Sequence, residues 1–150
     1  MKEVIENDEK QKKGSRARED YLEQISNLIE EKGYARVVDI AQNLGISQAS
    51  VTGMIQRMDT DGLVSYEKYR GVVLTSEGEK IAKAIIKRHK SLSEFFSLFG
   101  LNDEETYQDI EGIEHHMNQK TLKTIQALTD ELQRQPALLE RVKNKVSTKS

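Results

Sequence analysis

The chain has 150 residues, enough for one compact domain or two small ones. Its 23 Lys and Arg against 25 Asp and Glu leave a net charge of −2, so any DNA binding must rest on a local basic surface. Cysteine is absent, which excludes disulfides and thiolate metal sites. No apolar run approaches the roughly 20 residues of a membrane span and no secretory signal opens the sequence, so a cytoplasmic location without a membrane partner is expected.

Residues 1–14 are almost wholly polar and read as a flexible N-terminal extension. A helix is predicted from Ser15 to about Lys32, with Gly33 as its stop and with Tyr21, Leu22, Ile25, Leu28 and Ile29 on one face. Asp20 and Glu23 lie on nearly the opposite side. Such a pair alone usually marks an exposed polar face; the alternative is a face turned toward another part of the protein.

Val37 to Met58 read as two helices joined by a tight turn. The first, with Val37, Val38, Ile40, Ala41 and Leu44 as its apolar residues, ends at Gly45, a residue suited to the left-handed turn position. Ile46 fills the corner and Ser47 is placed to cap the second helix. Val51, Met54, Ile55 and Met58 form the inner arc of that helix. Its outer arc carries Gln48, Ala49, Thr52, Gly53 and Gln56, with Ser50 and Arg57 at the flank. Small and amide side chains let a helix enter a major groove and read base edges. Gly53 costs about 1 kcal/mol of helix propensity against Ala, which asks for a reason such as close backbone approach.

A strand over residues 63–68, a turn over 69–71 and a strand over 72–75 then read as a hairpin, the wing of a winged helix. Lys68 and Arg70 at its tip are placed to contact phosphates or the minor groove. From Ser76 a long helix runs to about Phe99, with His89 inside a stripe of Ile81, Ala82, Ile85, Leu92, Phe96 and Phe99. A lone histidine there is usually a core residue with its hydrogen bonds satisfied. A short helical stretch from Asn102 leads into Ile110–Met117. Asn118 is placed to cap a further helix whose Leu122, Ile125, Leu128 and Leu132 suit a buried seam. Pro136 breaks that helix, a last amphipathic helix follows, and the chain ends in a basic tail.

Three separated elements thus offer six oxygen and nitrogen ligands: Asp20 and Glu23, then His89, then Glu111, Glu114 and His115. At about 100° per residue the last three fall within one 100° arc, while His116 points away from Glu111. Four carboxylates and two imidazoles without sulfur suit Mn(II) or Fe(II) better than Zn(II), and four negative charges match two divalent ions. Di-iron carboxylate enzymes form the rival class, but they use Glu-x-x-His twice. Here His115 follows Glu111 by four and Glu114 by one, so no enzyme and no small organic substrate is expected. A metal-independent winged-helix regulator would leave the six ligands unexplained.

The segments DYLEQI, EEKGYARVVDIA, YEKYRGVVLT, KRH and IEGIEHH resemble the diphtheria-toxin-repressor family of metal-dependent transcription factors, over about Arg18 to Leu132. The resemblance implies a mainly α chain: a winged helix-turn-helix DNA-binding domain over 15–75, an all-helical metal-binding and dimerisation domain over 76–143, and a C-terminal tail over 144–150. It implies one metal held by Asp20, Glu23, His89, Glu114 and the main-chain carbonyl of Glu111. A second would be held by Glu23, Glu111, Glu114 and His115, with Glu23 and Glu114 bridging. Iron-responsive members usually carry methionine where this chain has Asp20, so the harder oxygen points to Mn(II), with an iron sensor as the alternative within the family. The implied function is a homodimeric repressor of manganese uptake genes that binds a palindromic operator in double-stranded DNA when two Mn(II) per subunit are bound.

Overall fold

The computed structural model describes residues 2–148, with side chains from Arg16 onward, and the chain falls into two units that part between Ile85 and Ile86. The first holds α1 (Lys2–Lys32), α2 (Val37–Leu44), α3 (Gln48–Thr60), β1 (Val64–Glu67), β2 (Gly71–Leu74) and the opening turns of α4 (Ser76–Ser97). The rest of α4, α5 (Asp103–Glu114), α6 (Gln119–Arg134) and α7 (Pro136–Ser147) form the second. Among the described residues no helix is long and apolar enough to cross a membrane.

The first helix does not wait for Ser15 but starts at Lys2. Glu6 and Lys10, Asp8 and Lys12, and Glu9 and Lys13 are spaced i,i+4 with the acid first, the order that favours a helix, while Gly14 counts most against it. At the other end, α7 takes in residues 144–147 of the expected tail, whose last two residues lie outside the described ones.

In the first unit Leu22, Ile25 and Leu28 of α1 pack with Ile40, Val51, Met58, Val64 and Val72 in one core. Burying each of these side chains is worth about 1.5–3 kcal/mol. Val38 departs from the expected inner face and is 47% exposed. The hairpin pairs Val64 with Leu74 and Glu67 with Gly71. Its turn end is tied to the segment after α1: Ala35 N donates to Arg70 O at 3.0 Å, and Val72 N donates to Ala35 O at 2.8 Å. The unit also claims the start of α4, because Ala82 belongs to its core and Ile81 packs against it. The first compact unit therefore extends past Ser76 into α4.

In the second unit Leu92, Ile110, Met117 and Leu122 are buried together, with Phe96 and Ile125 against them. Asn118 caps its helix as expected, and Asn102 caps α5 in the same way. Asn102 accepts from Glu105 N while Glu105 reaches back to Asn102 N, and Asn118 accepts from Thr121 N. Gln126 Nε2 donates to Ser91 Oγ at 2.9 Å, linking α6 to α4. The expected seam on α6 divides: Leu122 and Leu132 are buried, whereas Leu128 is 48% exposed.

Gly78 opens α4 at a point where a Cβ would run into the Leu63 main-chain carbonyl. Gly78→Ala should therefore cost roughly 2 kcal/mol through overpacking. Urea denaturation measures this, and an unchanged midpoint would contradict the close approach of α4 to the entry of β1.

Candidate metal centre and DNA-reading helix

The turn between α2 and α3 is built by local chemistry. Gly45 takes the left-handed conformation at φ 66° and ψ 34°, and Ile46 N donates back to Ala41 O at 3.1 Å. Ser47 Oγ accepts from Ser50 N at 3.1 Å and donates to Ser50 Oγ at 2.9 Å. Ser47 and Ser50 are thus engaged in capping as well as exposed.

Gln48, Ala49, Thr52, Gln56 and Arg57 are exposed along α3, and Gly53 is half-buried among them. Val51 and Met58 are buried on the opposite side, with Met54 and Ile55 half-buried. One face therefore anchors the helix and the other is presented outward. Burial pushes the Tyr21 phenol on α1 above its ordinary value, and the Arg57 guanidinium opposes that rise, so the flank of α3 is electrostatically coupled to α1. At the hairpin tip Lys68 and Arg70 are both exposed. Sequence reasoning missed their company. Arg70 Nη1 lies 3.6 Å from Glu67 Oε2, and Lys68 Nζ stands 5.6 Å from the Tyr69 ring centroid. Such an exposed ion pair is worth about 0–1 kcal/mol, so Arg70 is readily released.

The metal-ligand candidates divide between the units. Asp20 and Glu23 are half-buried on α1 in the first. In the second, α4 and α5 bring four together. Glu114 has no exposed side-chain surface, and its Oε2 accepts a hydrogen bond from His89 Nδ1 at 2.8 Å. His89 Nδ1 is also 3.7 Å from Glu111 Oε1, and His115 Nε2 is 3.5 Å from Glu114 Oε1. His89, Glu111 and Glu114 each offer a ligand atom within 4.8 Å of the others. The remaining histidine, His116, is exposed, as its angle on the helix predicts.

The donor set fits a divalent cation. A buried carboxylate is costly unless its oxygens are satisfied, and Glu114 Oε1 accepts no hydrogen bond. The neighbouring donors are carboxylate oxygen and imidazole nitrogen with no sulfur, which suits first-row divalent ions. His115 terminates α5 as its C-cap with φ −76° and ψ −17°, so its side chain continues the face set by Glu111 and Glu114.

A winged helix with an outward polar recognition face, joined to a helical unit with a carboxylate–imidazole cluster, defines a metal-responsive transcriptional regulator. Residues 14–72 match the iron dependent repressor N-terminal DNA binding domain, and residues 75–141 match the metal binding and dimerisation domain of the same family. The chain belongs to that family and, within it, to the MntR-type transcriptional regulators. It is 48% identical to the HTH-type transcriptional regulator MntR of Geobacillus thermodenitrificans, over 84% of this chain and 89% of the relative. With the MntR of Bacillus subtilis the identity is 52%, over 71% of this chain and 75% of the relative. Among solved structures, T. acidophilum IdeR is 27% identical with a TM-score of 0.65, covering 71% of this chain and 51% of that one. The manganese-activated repressor ScaR in its apo form is 25% identical with a TM-score of 0.64, covering 74% of this chain and 53% of that one. The chain spans about half the length of these solved structures. The family is one of transcriptional repressors, not enzymes.

Gly53 has neither a left-handed backbone nor any neighbour within 4 Å of an added Cβ. Nothing within this chain demands glycine there. Gly53→Ala should stabilise the free protein by up to about 1 kcal/mol while weakening duplex DNA binding. Urea denaturation and DNA titration read the two effects; a loss of stability would show that the fold itself needs the glycine.

Proposed function

We propose that this protein is a manganese-responsive repressor in which Asp20, Glu23, His89, Glu111, Glu114 and His115 hold two Mn(II) per subunit. The observation that carries the reading is Glu114, a fully buried carboxylate with one oxygen accepting no hydrogen bond, flanked by His89, Glu111 and His115. Asp20 and Glu23 supply the hard anionic oxygens that complete the set, as the resemblance to metal-dependent repressors implies. By that resemblance one ion would be held by Asp20, Glu23, His89, Glu114 and the Glu111 carbonyl, and the other by Glu23, Glu111, Glu114 and His115.

When bound, the metal supplies positive charge that offsets the mutual repulsion of four carboxylates. The protein's side chains do the remainder. Asp20 sets the preference for a hard ion. Glu23 and Glu114 would each serve both ions, so the loss of either would disable both positions. Ser47, Gln48, Ala49, Ser50, Thr52, Gly53, Gln56 and Arg57 present the recognition surface, and Lys68 and Arg70 add phosphate contacts from the wing. The active form is a homodimer whose two recognition helices meet the half-sites of a palindromic operator. Repression of manganese uptake genes, in the cytoplasm, completes the reading.

The test is operator binding titrated separately with Mn(II), Fe(II), Co(II) and Zn(II), with helicity followed alongside. Mn(II) should activate most effectively; equal or better activation by Fe(II) would move the protein to the iron sensors. Asp20→Met should shift the response toward Fe(II) or Co(II) with the fold retained, and Glu114→Ala should abolish activation. Full Mn(II) activation of the Glu114→Ala protein would eliminate the two-metal site. At the wing, Arg70→Ala should weaken binding to all sequences and lower the salt slope by roughly 1, since one phosphate contact is lost.

A further inference from the structure

A groove of about 260 Å³ lies between α3 and the hairpin. Its walls are largely carbon, from Val37, Ile55, Val72 and the Tyr66 ring, with Ser65 beside them. Thr52 and Gln56, two of the residues assigned to base reading, also line it. The groove is thus continuous with the DNA-reading face of the same unit. Tyr66 stands opposite Val72 across the hairpin and is 73% exposed, a large aromatic surface left open beside an apolar slot.

We propose that this groove receives the deoxyribose face of one DNA strand, with the Tyr66 ring packed on the sugar. The inference rests on α3 being the base-reading helix and adds a contact that reads the sugar rather than the base. Three features of the lining select this occupant. The walls offer no cation and the Asp59 carboxylate is part of the lining, so a phosphate finds no partner inside the groove. A base edge needs several donors and acceptors; between the carbon walls only Ser65 offers any, whereas Thr52 and Gln56 belong to the face of α3 assigned to base reading. The C–H face of a deoxyribose needs only apolar contact, and a 2′-hydroxyl pressed against those walls would lose its hydrogen bonds. The groove therefore makes this protein selective for DNA sugar over RNA sugar, independently of sequence.

The experiment uses the full chain with saturating Mn(II) and a duplex that it selects from a random-sequence pool. Single ribonucleotides are substituted along each strand, and the wild type is compared with Tyr66→Ala and Tyr66→Phe. Tyr66→Ala should weaken binding about tenfold on selected and random duplexes alike, with an unchanged salt slope because no counterion is released. Tyr66→Phe should keep wild-type affinity. One or two ribonucleotide positions per half-site should weaken wild-type binding several-fold and weaken Tyr66→Ala binding far less. Melting curves guard against misfolding, which a residue this exposed should not cause. Wild-type affinity in Tyr66→Ala, or a shallower salt slope, would overturn the sugar contact while leaving base reading by α3 in place. Failure of the wild type to select any duplex would overturn base reading and the sugar contact with it.

Discussion

Burial strips the Glu114 carboxylate of hydration, and the side chains around it must supply what solvent no longer does. His89 supplies one hydrogen bond from α4, and His115 brings its Nε2 within 3.5 Å of the other oxygen from the end of α5. Much of the second unit follows from meeting that demand. Ile110 and Met117 on either side of the cluster are buried with Leu92 and Leu122, so the apolar core fixes the helices that carry the polar ligands. The carboxylate is costly to the isolated fold and valuable to a fold that meets a cation, which is the property a metal-dependent switch requires.

The same division of labour marks the first unit. One side of α3 is held by Val51 and Met58, which are fully buried, while the opposite side is outward-facing and includes a helix-weakening glycine that no internal contact explains. Stability and recognition are thus assigned to opposite faces of a single helix. Arg70 at the wing is held loosely by Glu67, which keeps the guanidinium positioned without committing it.

Features set by local chemistry were legible in the sequence. Gly45 and Ser47 define their turn through their own backbone preference and hydroxyl, and Asn118 caps its helix in the same way. The grouping of Glu111, Glu114 and His115 followed from helical geometry alone. Nonlocal features were not legible. The pairing of Ala35 with the turn end of the hairpin uses only main-chain atoms and leaves no side-chain signature. Periodicity marked Leu122 and Leu128 alike as apolar, yet could not say that the first enters the core of its own unit and the second remains exposed. The helical start at Lys2 was obscured by polarity, because residues that solvate a tail also make good helix formers.

The tie between Ala35 and the turn end of the hairpin has a mechanical consequence. It joins the wing to the end of α1, and the core residues Leu22 and Ile25 join α1 to α3. The carboxylate-bearing helix α1, the helix α3 and the hairpin therefore share one packed core. On the reading proposed above, a cation held by Asp20 and Glu23 would bear directly on the unit that carries α3 and the hairpin, with no separate segment between the ligands and that core.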